Sequence, residues 1–524
     1  MSNAYASPVL IERTRSAVTD GGGNYRIENL RPGSYTVTFT LTGFNTVKRE
    51  RVELSGAQTV TIGAELKVGA VAETITVTGE TPIVDLQSTT KQTVFNHDLL
   101  DVLPVSRTDA GLGALVVGAN ISAANVGDAA PNPLVGKIAS VHGVADTRIM
   151  VNGVTTATLM GSQSNDMSFR NPMASQEVTV DTAAVSADGA TGGARVNYIP
   201  RDGGNFFKAT LFATYSNDSL QGDNFTQRVK DLGLRTANSN RRSWDINPGA
   251  GGPILRDKLW FWATGRSQVG DTNVGGTFFN LNANNPAAWT YVADTSRQGF
   301  QTGRWWDAQG RLTWQVNNNN KIAVSYDRQG SLQRYNTVSA TVSPESALNR
   351  NMPVQSFYHG EWSSPLTNRL LAEVVVINRH EIWGVYGHSQ EFQTASLLSS
   401  MIPVVAQNTN LRYHGGDSYG QFPGAVNRTS VPSTAYRVTL SYVTGAHSIK
   451  VGYNDQQGYL HHDLTAFQPL AYRVNNSAAA IPNQLTEYAW PLKFKTDLDH
   501  DWGIYAQDRW TIKRATVTYG LRWD

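Results

Sequence analysis

The residues that could do covalent chemistry in this chain are few, and their spacings do not complete a site. His380-Glu381-Ile382-Trp383-Gly384 starts like a zinc-protease helix, where two histidines four apart hold the metal beside a glutamate base, but glycine stands at the second histidine position. Gly136-Lys137 could close a phosphate-binding loop, yet Pro131 occupies the place of its first glycine. His461-His462 could ligate a metal, although adjacent histidines in a long loop are more often solvated. There is no cysteine, which removes thiol nucleophiles, disulfides and Cys-ligated zinc. The expectation is a non-enzyme without a cofactor or resident metal.

One segment can do backbone chemistry instead. Glu73-Thr74-Ile75-Thr76-Val77-Thr78-Gly79 alternates branched residues, so its main chain can join a partner's sheet as an added strand. Taken by itself such a heptad is usually an ordinary strand.

The elements around it are strands. The 524 residues carry 44 Lys+Arg against 42 Asp+Glu, with 16% charged residues. That charge content lies well below the roughly 25% of soluble domains, and Gly, Trp, Tyr and uncharged polar residues fill the gap. A net charge of +2 argues against a nucleic-acid partner, which calls for a basic patch or stripe. No apolar run approaches the roughly 18 residues of a membrane-crossing helix. Residues 1–15 lack a basic and an apolar targeting region, so an exported chain needs a start upstream of Met1.

Residues 1–70 read as a small β-sandwich, with turn signals at Asp20–Asn24 and Pro32-Gly33. Tyr35, Val37, Phe39 and Leu41 fall on one face. Residues 71–80 read as a linker, and 81–205 as a loop-rich α+β domain whose short helix at 98–103 stops at Pro104. Residues 206–524 alternate with period two: Leu312, Trp314 and Val316 face one way, and Arg311, Thr313 and Gln315 the other. Lys208, Thr210, Lys321 and Asp327 join the polar face.

Connection lengths decide the class. Short ones fall near 251–257, 317–320, 364–369, 444–447 and 513–514, and long ones near 216–240, 269–303, 331–353, 380–433 and 457–499. A soluble sandwich has no reason to lengthen every second loop, whereas a transmembrane barrel has short periplasmic turns and long outer loops. Strands of about ten residues suit a tilted crossing, and a sheet in lipid must close. Trp260, Trp262, Trp305, Trp306, Trp510 and Trp523 suit interfacial girdles. About eleven strands are expected, an odd number that leaves the barrel incomplete at its C-terminus.

Several segments then resemble the TonB-dependent outer-membrane receptors. Residues Glu73 to Gly79 resemble the TonB box. Arg148-Ile149-Met150-Val151-Asn152-Gly153-Val154, Gln176-Glu177-Val178-Thr179-Val180 and the glycine-rich stretch holding Gly192, Gly193 and Asn197 resemble plug motifs. Arg201-Asp202-Gly203-Gly204-Asn205-Phe206 resembles the link into the first barrel strand, and Gly251–Phe261 the first periplasmic turn. Residues 1–68 look like the carboxypeptidase-regulatory-like domain, of carbohydrate-binding-like fold, that precedes the plug in Oar-like members.

The resemblance implies a mainly β chain: an Ig-like or prealbumin-like sandwich, an α+β plug, and the N-terminal half of an antiparallel barrel of about 22 strands. It implies a bacterial outer-membrane location with the first domain in the periplasm. It implies active import of a siderophore, oligosaccharide or peptide, with TonB, the barrel-assembly machinery, outer-membrane lipid and an unknown extracellular ligand as partners. Aromatic loop residues Trp289, Tyr291, Trp383, Tyr386, Tyr413 and Tyr419 would suit a sugar or peptide. Two competing readings are a passive porin or adhesin barrel, which needs no plug, and a soluble carbohydrate-binding protein, which needs no detergent.

Overall fold

The computed structural model describes residues 2–6, 14–19, 23, 25, 27, 30, 33–54, 60, 62–68, 74–78, 91–102, 109–121, 138–160, 168, 170–183, 186–222, 225–367, 369–386, 400–416, 425–466, 468–512 and 515–524.

The N-terminal sheet holds β1 (Ser2–Ala6), β2 (Thr14–Val18), β3 (Gly33–Thr40), β4 (Thr46–Leu54) and β5 (Thr74–Thr78), in the order β2-β1-β3-β4-β5. The period-two pattern of β3 puts Tyr35, Val37 and Phe39 into the core with Val47 and Val52. Full burial of one such side chain stabilises by roughly 1.5–3 kcal/mol. Gly43, at φ +85°, makes the turn between β3 and β4 in a backbone region that side-chain-bearing residues avoid. Residues 71–80, expected as a linker, contain β5, which this sheet takes as its fifth strand.

The second unit is the plug. Its strands are β6 (Lys91–Asn96), β7 (Ala119–Ile121), β8 (Ile138–Val141), β9 (Arg148–Val151), β10 (Val154–Thr155), β11 (Ser175–Ala183) and β12 (Arg195–Pro200). The main sheet runs β10-β9-β12-β11-β6, with β12 and β9 parallel. Of two short helices, α1 (His97–Val102) lies against β6 and β11 and α2 (Asp109–Gly113) against the separate β7-β8 pair, and the Asn96 side chain caps α1 by accepting from the Leu99 N–H at 2.9 Å. Val178, Val180, Val196, Leu100 and Leu112 form its core.

The third unit is the wall. It comprises β13 (Lys208–Asn217), β14 (Ser239–Leu255), β15 (Leu259–Asn280), β16 (Ala293–Asn317), β17 (Asn320–Arg334), β18 (Asn349–Thr367), β19 (Leu370–Tyr386), β22 (Ala425–Ser430), β23 (Ser433–Thr444), β24 (His447–Ala466), β27 (Leu492–Ile512) and β28 (Ala515–Trp523). β22 and β23 both lie between β19 and β24, so the twelve strands fill eleven places. β13 and β28 stand at the two ends of the sheet. Short turns and long connections alternate as expected, but most strands between β14 and β27 are longer than ten residues: β15 has 22 and β16 has 25. In those strands the extra length continues the hairpins past the roughly ten residues of a membrane crossing.

Burial on this wall is inverted relative to a soluble protein. Leu312, Val324, Leu440, Val451 and Leu521 are exposed, while Arg266, Gln268, Asp307, Arg311 and Gln329 on the opposite face are buried. Apolar side chains outward and polar ones inward is what lipid on one side and a filled lumen on the other select. Among the described residues no helix is long and apolar enough to cross a membrane.

The tryptophans divide by this rule, which corrects the girdle expectation for half of them. Trp306, Trp510 and Trp523 are outward and exposed, but Trp260, Trp262 and Trp305 point inward and are buried. They share strand parity with Thr264, Arg266 and Gln268 on β15 and with Asp307 and Arg311 on β16, so the pleat turns them to the lumen.

Above the wall, the outer connections build a fourth sheet, ordered β21-β20-β25-β26, from β20 (Val404–Ala406), β21 (Arg412–Tyr413), β25 (Leu470–Val474) and β26 (Pro482–Glu487).

Candidate functional site: the coupling segment, the plug and its seat

The strand-forming heptad is a strand, and its partner is local. β5 pairs with β4 in parallel, in unbroken register from Thr46 against Thr74 to Glu50 against Thr78. Thr74, Ile75, Thr76, Val77 and Thr78 make the ladder, while Glu73 and Gly79 lie outside the described residues. The next described element after β5 is β6, the edge strand of the plug sheet, whose ladder runs against β11 from Asn96–Glu177 to Lys91–Ala183.

The plug motifs separate into those that space and backbone require and those they do not. Asn152 (φ +46°) and Gly153 (φ +72°) form the two-residue turn between β9 and β10, where both central residues take positive φ. Asn197 holds that turn: its side-chain oxygen accepts from the Gly153 N–H at 2.9 Å. Glu177 is buried in β11. A Cβ on Gly193 would lie 2.1 Å from the Asp146 carbonyl oxygen, and one on Gly203 would lie 2.3 Å from that of Phe261. Both neighbours are backbone, so both positions need glycine. Gly192 and Gly204 have open space, and nothing in their surroundings demands glycine.

Residues 153–205 seat the plug on the inner wall. Asn171 donates to Asp307 at 3.0 Å and exchanges hydrogen bonds with Asn247. Trp262 donates its indole N–H to the Met173 carbonyl at 3.1 Å, and the Arg201 guanidinium stacks 3.7 Å above the same ring. Asp202 accepts from Arg311 at 2.7 Å and from Thr313 at 2.6 Å, and Arg311 is forked onto Glu361 at 3.0 Å. Asn205 accepts from the Trp260 indole at 2.8 Å. The buried tryptophans of β15 are therefore part of the seat.

Asp188 anchors the other side. It accepts from Arg195 within the plug at 2.7 Å and from Lys450 on β24 at 2.6 Å. Burial acts to raise the Asp188 carboxyl, but the Lys450 ammonium and the Arg195 guanidinium overcome it and hold the group well below the usual carboxylate range. Arg195 also bridges to Asp181 at 2.9 Å, and Gln92 on β6 donates to the second Asp181 oxygen at 2.7 Å. A polar chain thus runs from the plug's first strand to the wall. The sequence reading did not single out Asn171, Asp188 or Lys450. A usable signal existed for Lys450, because a cation on the inward parity of a barrel strand needs a partner.

The aromatic outer loops are self-packed. Trp289, Tyr291 and Tyr472 pack on Val404, Tyr413 and Val474, Trp289 stacks on His414 at 4.8 Å, and the Tyr413 hydroxyl donates to the Trp289 carbonyl at 2.9 Å. Trp383 is buried in the lumen with Trp305, Leu348 and Met352. Tyr386 ends β19, and Tyr419 lies outside the described residues. Buried Glu345 ties these loops together, accepting from Asn280 at 2.9 Å and from the His414 N–H at 3.4 Å. Burial raises its carboxyl, lowers the His414 imidazole, and with the nearby Glu345 charge pushes the Tyr291 and Tyr413 hydroxyls up to about 12.

His461 and His462 face separate partners, Asp463 at 3.6 Å and the Thr429 hydroxyl at 2.8 Å. Among the described residues no group of three or more His, Asp or Glu is placed to hold a metal. A Gly-x-Ser-x-Gly spacing, the pattern of a hydrolase nucleophile elbow, does occur at Gly416-Asp417-Ser418-Tyr419-Gly420. The described elements on either side, β21 and β22, are both strands, whereas that elbow joins a strand to a helix. Residues 417–420 lie outside the described residues.

Comparison with known proteins agrees with this architecture. Residues 5–67 match the carboxypeptidase regulatory-like domain. The chain is 29% identical over 264 residues to the TonB-dependent transporter Oar of Myxococcus xanthus, a match covering 48% of this chain and 24% of that protein. The fold is similar to that of the outer-membrane transporter YddB from Escherichia coli, with TM-score 0.56 and 13% identity over 82% of this chain and 56% of the other. It is also similar to FpvA of P. aeruginosa bound to heterologous pyoverdines, with TM-score 0.53 and 11% identity over 83% of this chain and 52% of the other. The chain thus spans about half the length of these solved proteins and, in its match, about a quarter of the curated relative. With a plug seated in a wall that is apolar outside and polar inside, the chain is a homologue of the Oar TonB-dependent transporter, carrying a carboxypeptidase regulatory-like domain ahead of the plug-and-barrel fold of TonB-dependent outer-membrane receptors.

Proposed function

We propose that this chain is the N-terminal part of an outer-membrane receptor that imports a scarce extracellular ligand, with residues 73–79 as the segment that TonB engages. The N-terminal domain then lies in the periplasm, and the wall contacts outer-membrane lipid after insertion by the barrel-assembly machinery. The observation that carries the reading is the plug's seat: polar side chains of six wall strands (β14, β15, β16, β24, β27 and β28) hold residues 171–205 inside the lumen. A passive pore has no use for such a seat. The likeness to a receptor bound to pyoverdines supports a siderophore, and an oligosaccharide or a peptide fits the same layout.

The geometry supplies a mechanism for opening. Force on β5 reaches the plug through residues 79–90 and acts first on β6. β6 is an edge strand laddered to β11, so it peels without breaking the sheet's centre. Its departure takes Gln92 from Asp181, while Asp188, Asp202 and Asn171 keep the remainder on the wall. Hydrogen bonds to charged groups are worth roughly 1.5–3 kcal/mol each. The seat therefore outlasts the edge strand under load.

The test is ionic conductance of the full-length receptor in planar bilayers with KCl. The seated plug should keep the pore closed, and a plug unfolded by urea should open it reversibly. Steady conductance before urea would favour the passive porin.

A further inference from the structure

β5 has two edges, and the N-terminal sheet uses one. Its inner edge pairs with β4 over five consecutive residue pairs. It closes the order β2-β1-β3-β4-β5, and among the described residues no strand pairs with its outer edge. Native proteins protect exposed strand edges with charges, proline or bulges. Thr74-Ile75-Thr76-Val77-Thr78 carries none of these, and its register has no irregularity. The adjacent strand β4 does carry charge, at Lys48, Arg49, Glu50, Arg51 and Glu53, and the opposite edge strand β2 has Arg15. Among the described residues, the unprotected edge of this domain is thus the outer side of the segment expected to receive a partner's strand.

We propose that the coupling partner's strand adds to the outer edge of β5 while β5 stays on β4. The N-terminal domain and the partner then share one continuous sheet. This rests on the reading of 73–79 as the TonB-binding segment. Addition to the free edge breaks nothing, whereas exchange would first remove all five β4–β5 pairs. The domain also holds β5 extended before the partner arrives, so less ordering is left for the binding step. The N-terminal domain is a template that presents the coupling segment, and it moves with the segment under load.

These 524 residues hold no cysteine, so the idea is testable by disulfide trapping once any cysteine elsewhere in the full-length receptor is replaced by serine. Lys48 and Thr76 are direct partners in the β4–β5 ladder, and strands pair at about 4.8 Å, within the Cα range of a disulfide. The full-length receptor carrying Lys48→Cys and Thr76→Cys is titrated with the purified periplasmic domain of TonB, oxidised and reduced, beside the wild type. The expected result is an oxidised affinity within about twofold of the reduced one, and a free peptide of residues 69–82 binding at least tenfold more weakly than either. Loss of binding on oxidation, restored by reductant, would establish strand exchange and overturn the shared sheet, leaving TonB as the partner. Failure of the disulfide to form would overturn the β4–β5 template itself. No binding by the wild type would overturn both the shared sheet and the TonB reading.

Discussion

Asp188 in the plug and Lys450 in the wall, 262 residues apart in the chain, meet at 2.6 Å. The pair lies at one end of the polar chain that reaches Gln92 on β6 through Arg195 and Asp181. It ties the plug to the inner face of the wall.

Lys450→Met should loosen the plug. It leaves the Asp188 carboxylate with Arg195, beside the Arg522 contact to its backbone carbonyl, and costs on the order of 1–3 kcal/mol of seating free energy. Trypsin should then cut after Arg195, the first basic residue beyond Asp188, at a rate several-fold above wild type. An unchanged digestion pattern would show that the pair is incidental.

Acid should act on the same contact. The folded Asp188 carboxyl titrates below its unfolded value, so its contribution is present above the ordinary carboxylate range of about 3.9 and is lost as pH falls through the folded value. The plug should therefore hold from pH 7 to about 5 and loosen below about 4. Hydrogen exchange on residues 186–200 measures this. Asp188→Asn should lose that acid step, and a step that survives in the variant would assign it elsewhere.

Gly193→Ala and Gly203→Ala should each destabilise the seated plug by about 1–3 kcal/mol, because the new Cβ meets backbone carbonyl oxygen. Gly192→Ala and Gly204→Ala should change stability by less than about 0.5 kcal/mol. Thermal melts of the four full-length variants compare them. Equal losses at all four positions would contradict the contact argument.

Glu345→Gln should stabilise the outer-loop assembly at neutral pH. The folded Glu345 carboxyl titrates above its unfolded value, so its contribution is complete below the unfolded range and is lost as pH rises through the folded value. His414, lowered by burial, contributes above its unfolded range and loses that as pH falls. Exchange at residues 401–416 should therefore speed up with rising pH more than base catalysis explains, and the glutamine variant should lack that excess. No difference between the two proteins would mean that Glu345 stays solvated.

Ile75→Pro or Val77→Pro should lower the affinity for TonB's periplasmic domain by at least tenfold, since proline removes a ladder donor and fixes φ. The strands β1 to β4 pair with one another independently of β5, so the domain should stay folded. Circular dichroism and calorimetry on the same sample separate the two effects, and wild-type affinity would make 73–79 an ordinary strand.

Local physics was written in the sequence. Period-two alternation placed Arg311, Thr313 and Gln315 opposite Leu312, Trp314 and Val316, because successive residues of a strand face opposite sides wherever the strand goes. The alternation of turn and loop lengths marked the membrane, because turn chemistry depends on a few adjacent residues. The tertiary structure decided what each face meets. Trp260, Trp262 and Trp305 went to the plug, and Trp306, Trp510 and Trp523 outward, because an indole satisfies either site and strand parity chooses between them. Heptad 73–79 was legible as a strand former, but its seat on β4 was not, because main-chain pairing carries little side-chain information. The pairing of Asp188 with Lys450, and of Asp202 with Arg311, needed closure of hundreds of residues of chain. Charges of opposite sign are common in any sequence, and only the fold selects which of them meet inside the lumen.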